Sequence, residues 1–227
     1  MTLKQLNAKI VNCFKCPRLV AYRQEIAKNP PLRYRGEKYW GRPLPGFGDP
    51  NAPIYIVGLA PAANGGNRTG RIFTGDRSGD WLFAALYDQG LANQPTSVHR
   101  NDGLQLFDVY IGAAVRCAPP DNKPLLSEFE NCHPYLVQEM SLLPKMKVII
   151  VLGSIAFNAV RKVLKLNPEY RKLKFPKFAH GQEMKLPDGR YLICSYHPSQ
   201  QNTFTGKLTK PMFDQIFATA KRMTESA

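Results

Sequence analysis

The sequence lacks several features that would assign a protein to a common class at once. It has no uninterrupted apolar run of the about 18 residues that a membrane-spanning helix needs, so we expect no membrane partner. Its first twelve residues have no apolar signal-peptide core, which predicts a cytoplasmic protein. It contains no internal repeat, no P-loop and no Gly-x-Gly-x-x-Gly dinucleotide fingerprint.

Acidic residues are also scarce. Seventeen Asp and Glu face 31 Lys and Arg, for a formal net charge of +14. Such a surface favours a polyanionic partner such as nucleic acid and a position at the nucleoid, although a charge balance set for solubility looks the same. A hydrophobic content of 44% in 227 residues predicts one packed domain over residues 1–227.

Apolar periodicity predicts strands that alternate with helices. The predicted strands span residues 52–59, 108–115, 147–152 and 190–195. The predicted helices follow Thr2, whose spacing to Gln5 indicates a capping box, and span 17–28, 78–91, 127–143, 155–166 and 208–223, with caps from Ser127 with Glu130 and from Ser154. This alternation predicts an α/β fold, a single three-layer α/β/α domain around a central, mainly parallel four-stranded sheet.

The first 50 residues or so form a separate segment of two short helices and a loop rich in proline and glycine. The loop, residues 29–50, interleaves arginines with aromatic rings: Arg33, Tyr34, Arg35, Tyr39, Trp40 and Arg42. Arginines that contact phosphates and rings that contact bases would let such a loop follow a nucleic-acid strand. The same rings would also suit packing on the core, and the sequence leaves both interpretations open.

Five cysteines occur, two of them in the CxxC pair Cys13 and Cys16. A thioredoxin-type site is disfavoured because this pair precedes every predicted strand, and structural disulfides suit a cytoplasmic chain poorly. Together with Cys117 and Cys132, the pair supplies four thiolates for either zinc or an iron–sulfur cluster, and their spacing does not decide between the two. Cys194 lies inside a predicted strand, which predicts a buried structural thiol.

Two long loops leave predicted strands at the edge of the sheet where α/β folds bind ligands. The first loop, residues 58–76, is glycine-rich and ends in Asp76, which would serve either chemistry or the cap of the next helix. The second loop, residues 195–207, carries His197, which the following proline holds in place. A histidine held in this way can donate a hydrogen bond to a developing anion, although a lone histidine is more often structural.

Both loops resemble motifs of family 5 of the uracil-DNA glycosylase superfamily, the iron–sulfur type. GLAPAANGGNRTGRIFTGD (58–76) is similar to the first motif of that family and SYHPSQQNTFTGKLT (195–209) to its second. The CxxC pair, RCAPPDNKP (116–124) and Cys132 are similar to its cluster framework. The resemblance implies a [4Fe–4S] cluster held by Cys13, Cys16, Cys117 and Cys132, in place of zinc.

The resemblance implies a monofunctional DNA-repair enzyme that flips uracil out of DNA and hydrolyses its N-glycosidic bond, leaving an abasic site. Asp76 would orient water or balance the charge of the sugar cation, and His197 would stabilise the departing base anion. The residues implied in base binding are Gly58, Ala60, Phe73, which would stack on the base, and Asn122. Those implied in DNA binding are Arg68, Arg71, Ser199, Gln200, Gln201, Asn202 and Lys207, one of residues 200–202 filling the gap left by the base.

The sequence departs from other branches of that superfamily at two points. Ala60, Ala62 and Ala63 stand where others carry an Asp or Asn early in the first motif, and residues 112–116, including Ala113, lack the Asn that reads the edge of uracil. Fewer polar groups predict a permissive pocket that also accepts hypoxanthine and ethenocytosine. We expect a monomer whose partner is damaged DNA, with replication or repair proteins as further candidates.

Two other classes fit part of the pattern. A non-catalytic nucleic-acid-binding protein with a structural zinc site would have the same charge and cysteines. A cluster-bearing glycosylase of the helix–hairpin–helix type would be all helical, which the four predicted strands argue against.

Overall fold

A six-stranded sheet forms the centre of the protein. The computed structural model describes residues 1–225, and the strand order of its sheet is β1-β3-β2-β4-β6-β5. The strands are β1 (Phe47–Gly48), β2 (Ile54–Gly58), β3 (Val109–Ala113), β4 (Val148–Leu152), β5 (Glu183–Lys185) and β6 (Tyr191–Ser195).

The four inner strands are the four predicted from the sequence, and they run parallel. Val57 of β2 pairs with Gly112 of β3 on one side and with Val151 of β4 on the other. Apart from Tyr191, their residues are buried on both faces, which explains why they read as continuous apolar runs. The prediction of four strands was wrong in number because β1 and β5 pair antiparallel at the two edges. Strands of two and three residues are too short to leave a periodic pattern.

Helices cover both faces of the sheet and complete the predicted three-layer α/β/α architecture. They are α1 (Leu3–Val11), α2 (Pro17–Lys28), α3 (Gly66–Thr69), α4 (Arg77–Asp88), α5 (Leu126–Ser141), α6 (Ser154–Leu164), α7 (Gln200–Phe204) and α8 (Lys210–Glu225). One core lies between the sheet and α4 and α8, with Phe83 and Phe217 at its centre. A second core on the opposite face contains Leu136 of α5 and Phe157 of α6. Within residues 1–225, every helix is too short or too polar to cross a bilayer.

The first residues of the helices test the helix caps that were predicted from the sequence. The capping box of Thr2 and Gln5 is present at α1. The predicted capping box of Ser127 with Glu130 is wrong, because α5 begins at Leu126 and Glu128 instead accepts the Leu125 N–H at 2.7 Å. Ser154 is likewise the first residue of α6 and not its cap, since Gly153 holds that position with a φ of 96°.

Candidate active site

The two loops predicted to carry chemistry meet at one edge of the sheet. Because β2 and β6 both run parallel to β4, their carboxyl ends point the same way. The first loop leaves β2 and the second leaves β6. The structure therefore brings both loops to the edge at which α/β folds bind ligands.

Phe73 lies in the first loop and forms one wall of this edge. Its backbone adopts a φ of 51°, which is unusual for a non-glycine residue, and the residue is buried. A Cβ on Gly58 would lie 2.6 Å from the ring, and a Cβ on Gly79 would collide with the carbonyl oxygen of Phe73. Glycine at these two positions therefore lets the aromatic ring sit against the end of β2.

His197 faces Phe73 from the second loop. The centroids of the two rings are 5.9 Å apart, and the ring planes are 31° from parallel. Asn202 donates from Nδ2 to the carbonyl oxygen of His197 at 2.9 Å, which fixes the backbone there. Part of the residue reaches solvent while protein surrounds most of the imidazole, and this burial lowers the pKa of His197 to about 4. The imidazole is therefore a neutral hydrogen-bond donor near pH 7.

Asp76 ends the first loop and begins α4. Its Oδ1 accepts the N–H of Gly79 at 3.0 Å, so it is the N-cap of that helix. A side chain at Gly65 would collide with its carboxylate, which shows how closely the loop backbone approaches this group. Burial raises the pKa of Asp76, although hydrogen bonds from the amides of Gly79 and Ser78 oppose the shift. The capping interpretation is confirmed.

Arg68 is tied into the fold of the first loop. It donates to the carbonyl oxygens of Asn64 at 2.8 Å and Gly75 at 3.1 Å, and pairs with Glu37 at 2.7 Å. Its guanidinium also lies 4.2 Å from the centroid of the Tyr34 ring. The bonds to the first loop show that Arg68 shapes the loop, whatever contact it makes with a phosphate.

Arg71, which was predicted to contact a DNA phosphate, is buried. Its buried guanidinium forms a bidentate pair with Asp102 at 2.8 and 2.6 Å and also donates to Ser97 and Thr74. Burial raises the pKa of Asp102, but hydrogen bonds from Arg71 and from three backbone amides outweigh it and hold the pKa well below its usual range. Arg71 therefore stabilises the first loop from inside and is only 4% exposed.

The second loop contains the short helix α7, which Ser199 caps by accepting the N–H of Asn202 at 3.4 Å. The side chains of Gln200, Gln201 and Lys207 are exposed, as a contact with DNA would require. Because the side chain of Asn202 is hydrogen-bonded to His197, Gln200 and Gln201 are the better candidates for filling the gap that a flipped base would leave in DNA.

Sequence reasoning missed Phe204, the last residue of α7. This ring is 67% exposed, and the guanidinium of Arg77 lies 4.3 Å from its centroid. Arg77 directly follows Asp76, so the ring lies beside the candidate site. The sequence did indicate this residue, since an aromatic residue in a polar loop often contacts a nucleic-acid base.

His180 was also missed. Its Nδ1 accepts the N–H of Tyr196 at 3.1 Å and its Nε2 lies 3.2 Å from the carbonyl oxygen of Met212. It therefore fixes the backbone at Tyr196, the residue before His197. No local signal marks it, because its partners are 16 and 32 residues away.

The remaining predicted base-binding residues are dispersed. Gly58 is buried under Phe73, whereas Ala60 packs on the cysteine cluster described next. Asn122 is exposed on the turn Pro120–Asn122, with a φ of 56°. Ala113, at the end of β3, is buried and adds no polar group to the edge.

Three of the four candidate cysteines share a buried cluster beside the first loop. Cys16, Cys117 and Cys132 share one buried cluster with Leu19 and Val115, and Ala60 of the first loop packs against it. Cys13 is half-buried and packs against a neighbouring cluster that contains Leu6, Ile10 and Tyr135. All are free thiols, as is the buried Cys194 that the sequence predicted. Within the described residues, no three His, Cys, Asp or Glu side chains are arranged so as to hold a metal ion.

A buried ion pair fixes the two cysteines that come from distant parts of the chain. Arg116, which precedes Cys117, donates to Glu139 of α5, with one contact of 3.2 Å, and Tyr55 donates to the same carboxylate. Glu139 lies on the same helix as Cys132. The pair therefore joins the end of β3 to α5 and sets the relative position of Cys117 and Cys132.

The ring of Phe73 and the imidazole of His197 thus pair at the carboxyl edge of a parallel sheet, and Asp76, the N-cap of α4, ends the same loop as Phe73. The family model described as the uracil DNA glycosylase superfamily matches residues 45–221. A type-4 uracil-DNA glycosylase of Pyrobaculum aerophilum is 33% identical over 72% of this chain and 67% of its own length.

Identity is higher to type-5 proteins. The type-5 uracil-DNA glycosylase of Thermus thermophilus is 49% identical over 93% of both chains, and that of Mycobacterium leprae 46% identical over 98% of this chain and 96% of its own. The chain therefore belongs to the type-5 family of the uracil-DNA glycosylase superfamily, and the predicted resemblance is confirmed.

Proposed function

We propose that the protein is a DNA-repair enzyme that hydrolyses the N-glycosidic bond of uracil in DNA and leaves an abasic site. Relatives at 44–49% identity are named uracil-DNA glycosylases. The observation that carries the proposal is the 5.9 Å pairing of Phe73 with His197, with Asp76 at the end of the same loop. A planar base fits such a site only if it has left the DNA stack.

Phe73 and His197 act on the base. The ring of Phe73 stacks on the flipped base and offsets part of the cost of unstacking it from DNA. The neutral imidazole of His197 donates a hydrogen bond to a carbonyl oxygen of the base, where negative charge develops as the bond breaks. Such a preorganised donor stabilises the transition state more than the ground state.

Asp76 acts on the sugar. Bond breaking leaves positive charge on the sugar, which an ionised carboxylate stabilises, and the same group can orient the attacking water. The amides of Gly79 and Ser78 hold it in place. Asp76 and His197 thus balance the two charges that separate in the reaction.

The substrate range of the site is proposed to extend beyond uracil. Ala60 and Ala113 remove polar groups that would reject other bases, which supports excision of hypoxanthine and ethenocytosine as well. The test is a panel of duplexes that each carry one lesion. A product profile restricted to uracil would contradict this part of the proposal.

The four candidate cysteines are proposed to bind a [4Fe–4S] cluster. Cysteine thiolates are the usual ligands of such clusters, and Cys16, Cys117 and Cys132 bring the N-terminal segment, the end of β3 and α5 into one buried cluster, with Cys13 three residues before Cys16. When bound, the cluster supplies a structural cross-link between these segments. Iron and sulfide analysis tests it, and a colourless protein loaded with zinc would contradict it.

We propose that the protein binds damaged DNA as a monomer at the nucleoid, and its formal net charge of +14 supports binding to this polyanion. The decisive experiment is excision of uracil from a single-lesion duplex by the intact protein, Asp76→Ala and His197→Ala. If the intact protein binds the duplex without releasing uracil, the protein is a binding protein and not an enzyme. If both variants cut like the intact protein, the site is assigned wrongly.

A further inference from the structure

Arg23 on α2 is a buried cation that pairs with no carboxylate among residues 1–225. Its side chain is only 1% exposed, and it donates from Nη1 to the sulfur of Cys117 at 2.9 Å and from Nη2 to the carbonyl oxygen of Cys13 at 3.3 Å. Its Nε has no hydrogen-bond partner in the described part of the chain. A guanidinium buried without negative charge nearby is strongly destabilising.

Two other buried arginines show how the fold normally meets this requirement. Arg116 and Arg71, which are 2% and 4% exposed, pair with Glu139 and Asp102 respectively. At Arg23, the sulfur of a candidate cluster ligand occupies the place that a carboxylate takes at the other two. The negative charge that Arg23 needs is therefore expected at the cysteines.

We infer that Arg23 is the counter-ion of the iron–sulfur cluster and tunes its reduction potential; this rests on the proposed cluster. Ligand sulfurs of such clusters are thiolates, and hydrogen bonds to them and the local charge help to set the potential. A positive charge stabilises the reduced cluster, which carries more negative charge, more than the oxidised one. Arg23 therefore raises the potential and protects the cluster against oxidative loss.

The backbone of Arg23 has a separate role, so a substitution of its side chain tests the side chain alone. Its carbonyl oxygen accepts from Nδ2 of Asn67 at 3.2 Å, and Asn67 belongs to α3 in the first loop. Substituting the side chain of Arg23 leaves this bond between α2 and the loop in place. Changes at the cluster can then be separated from changes in the position of the helix.

The experiment compares the intact protein, purified without air, with Arg23→Gln, Arg23→Lys and Lys28→Gln. Iron per chain, the midpoint potential and the rate at which visible absorbance bleaches in air are measured. We expect Arg23→Gln to shift the potential to more negative values and to bleach several-fold faster. Arg23→Lys should shift it less in the same direction, because the charge remains while the planar fork is lost. Lys28→Gln removes an exposed charge from the same helix and should match the intact protein.

The outcomes separate the two proposals. An intact protein without iron overturns the cluster and this inference with it. An iron-loaded Arg23→Gln with unchanged potential and bleaching overturns the role of Arg23 and leaves the cluster standing. If Arg23→Gln fails to fold, Arg23→Met, which removes the charge but keeps a long apolar side chain, replaces it, and a potential equal to that of the intact protein overturns the inference. None of these readouts depends on excision.

Discussion

The Oδ1 of Asp76 accepts the N–H of Gly79 at 3.0 Å, so the candidate catalytic carboxylate is also the cap of α4. The two roles separate in different variants. Asn is as good a cap as Asp, whereas Ala loses a cap worth about 1 kcal/mol. We predict that Asp76→Asn keeps its stability but excises uracil roughly 10²–10⁴-fold more slowly, and that Asp76→Ala loses both. Urea unfolding and single-turnover excision measure the two effects. An Asp76→Asn variant as active as the intact protein would limit Asp76 to capping.

The pH dependence of excision should report Asp76. Its ionised form is required, and burial raises its pKa, so the rate should fall as pH drops, beginning above the usual range of an Asp. His197 has a pKa of about 4 and stays neutral over the same range. Single-turnover rates measured across weakly acid to neutral buffers should show one acid limb. A limb near the ordinary histidine pKa that disappears in His197→Ala would contradict this assignment.

Removal of His197 should affect chemistry more than folding. His197→Ala loses a donor to the developing anion, so we predict a rate lower by about 10²–10³-fold. Its stability should change little, because the residue is partly exposed and lies in a loop. His133→Ala, a change at a half-buried histidine on α5, is the matched control and should cut normally.

Phe204 should contribute to DNA binding without contributing to stability. Stacking on a base is worth about 1–3 kcal/mol, so Phe204→Ala should weaken binding to a lesion duplex by that amount if the ring contacts a base. The melting temperature should not change, since the ring is largely exposed. Leu166→Ala, at an exposed apolar residue beyond α6, is the control. Equal affinities of the two variants would show that Phe204 makes no contact with DNA.

The pair of Arg71 and Asp102 should support the first loop from within. Asp102→Asn leaves a buried guanidinium without its anion and should cost about 3–5 kcal/mol in urea unfolding. Because the folded pKa of Asp102 lies below its unfolded value, its contribution is present above the usual Asp pKa and is lost as pH falls through the folded pKa. Asp102→Asn should remove this acid sensitivity. Lys210→Gln, which breaks exposed pairs, should cost less than about 1 kcal/mol.

The elements that could be predicted from the sequence are those that a local pattern of residues marks. The four inner strands and both loops were found because apolar runs and glycine-rich segments mark them. The short edge strands and the helices α3 and α7 span too few residues to show a period.

Pairings between distant residues were not predictable in this way. Arg68 and Arg71 read as free phosphate contacts because their partners, Glu37 and Asp102, lie 31 residues away in either direction. Arg23 gives no signal at all, since only the fold brings it 2.9 Å from Cys117. The number of charged residues could therefore be read from the sequence, but the residues with which they pair could not.

The short strand β5 closes one edge of the sheet. Its three residues carry exposed Glu183 and Lys185 on either side of Met184. An edge this short, flanked by charges of opposite sign, offers another chain few free amides with which to extend the sheet. We therefore expect this edge to protect the protein against strand-to-strand aggregation.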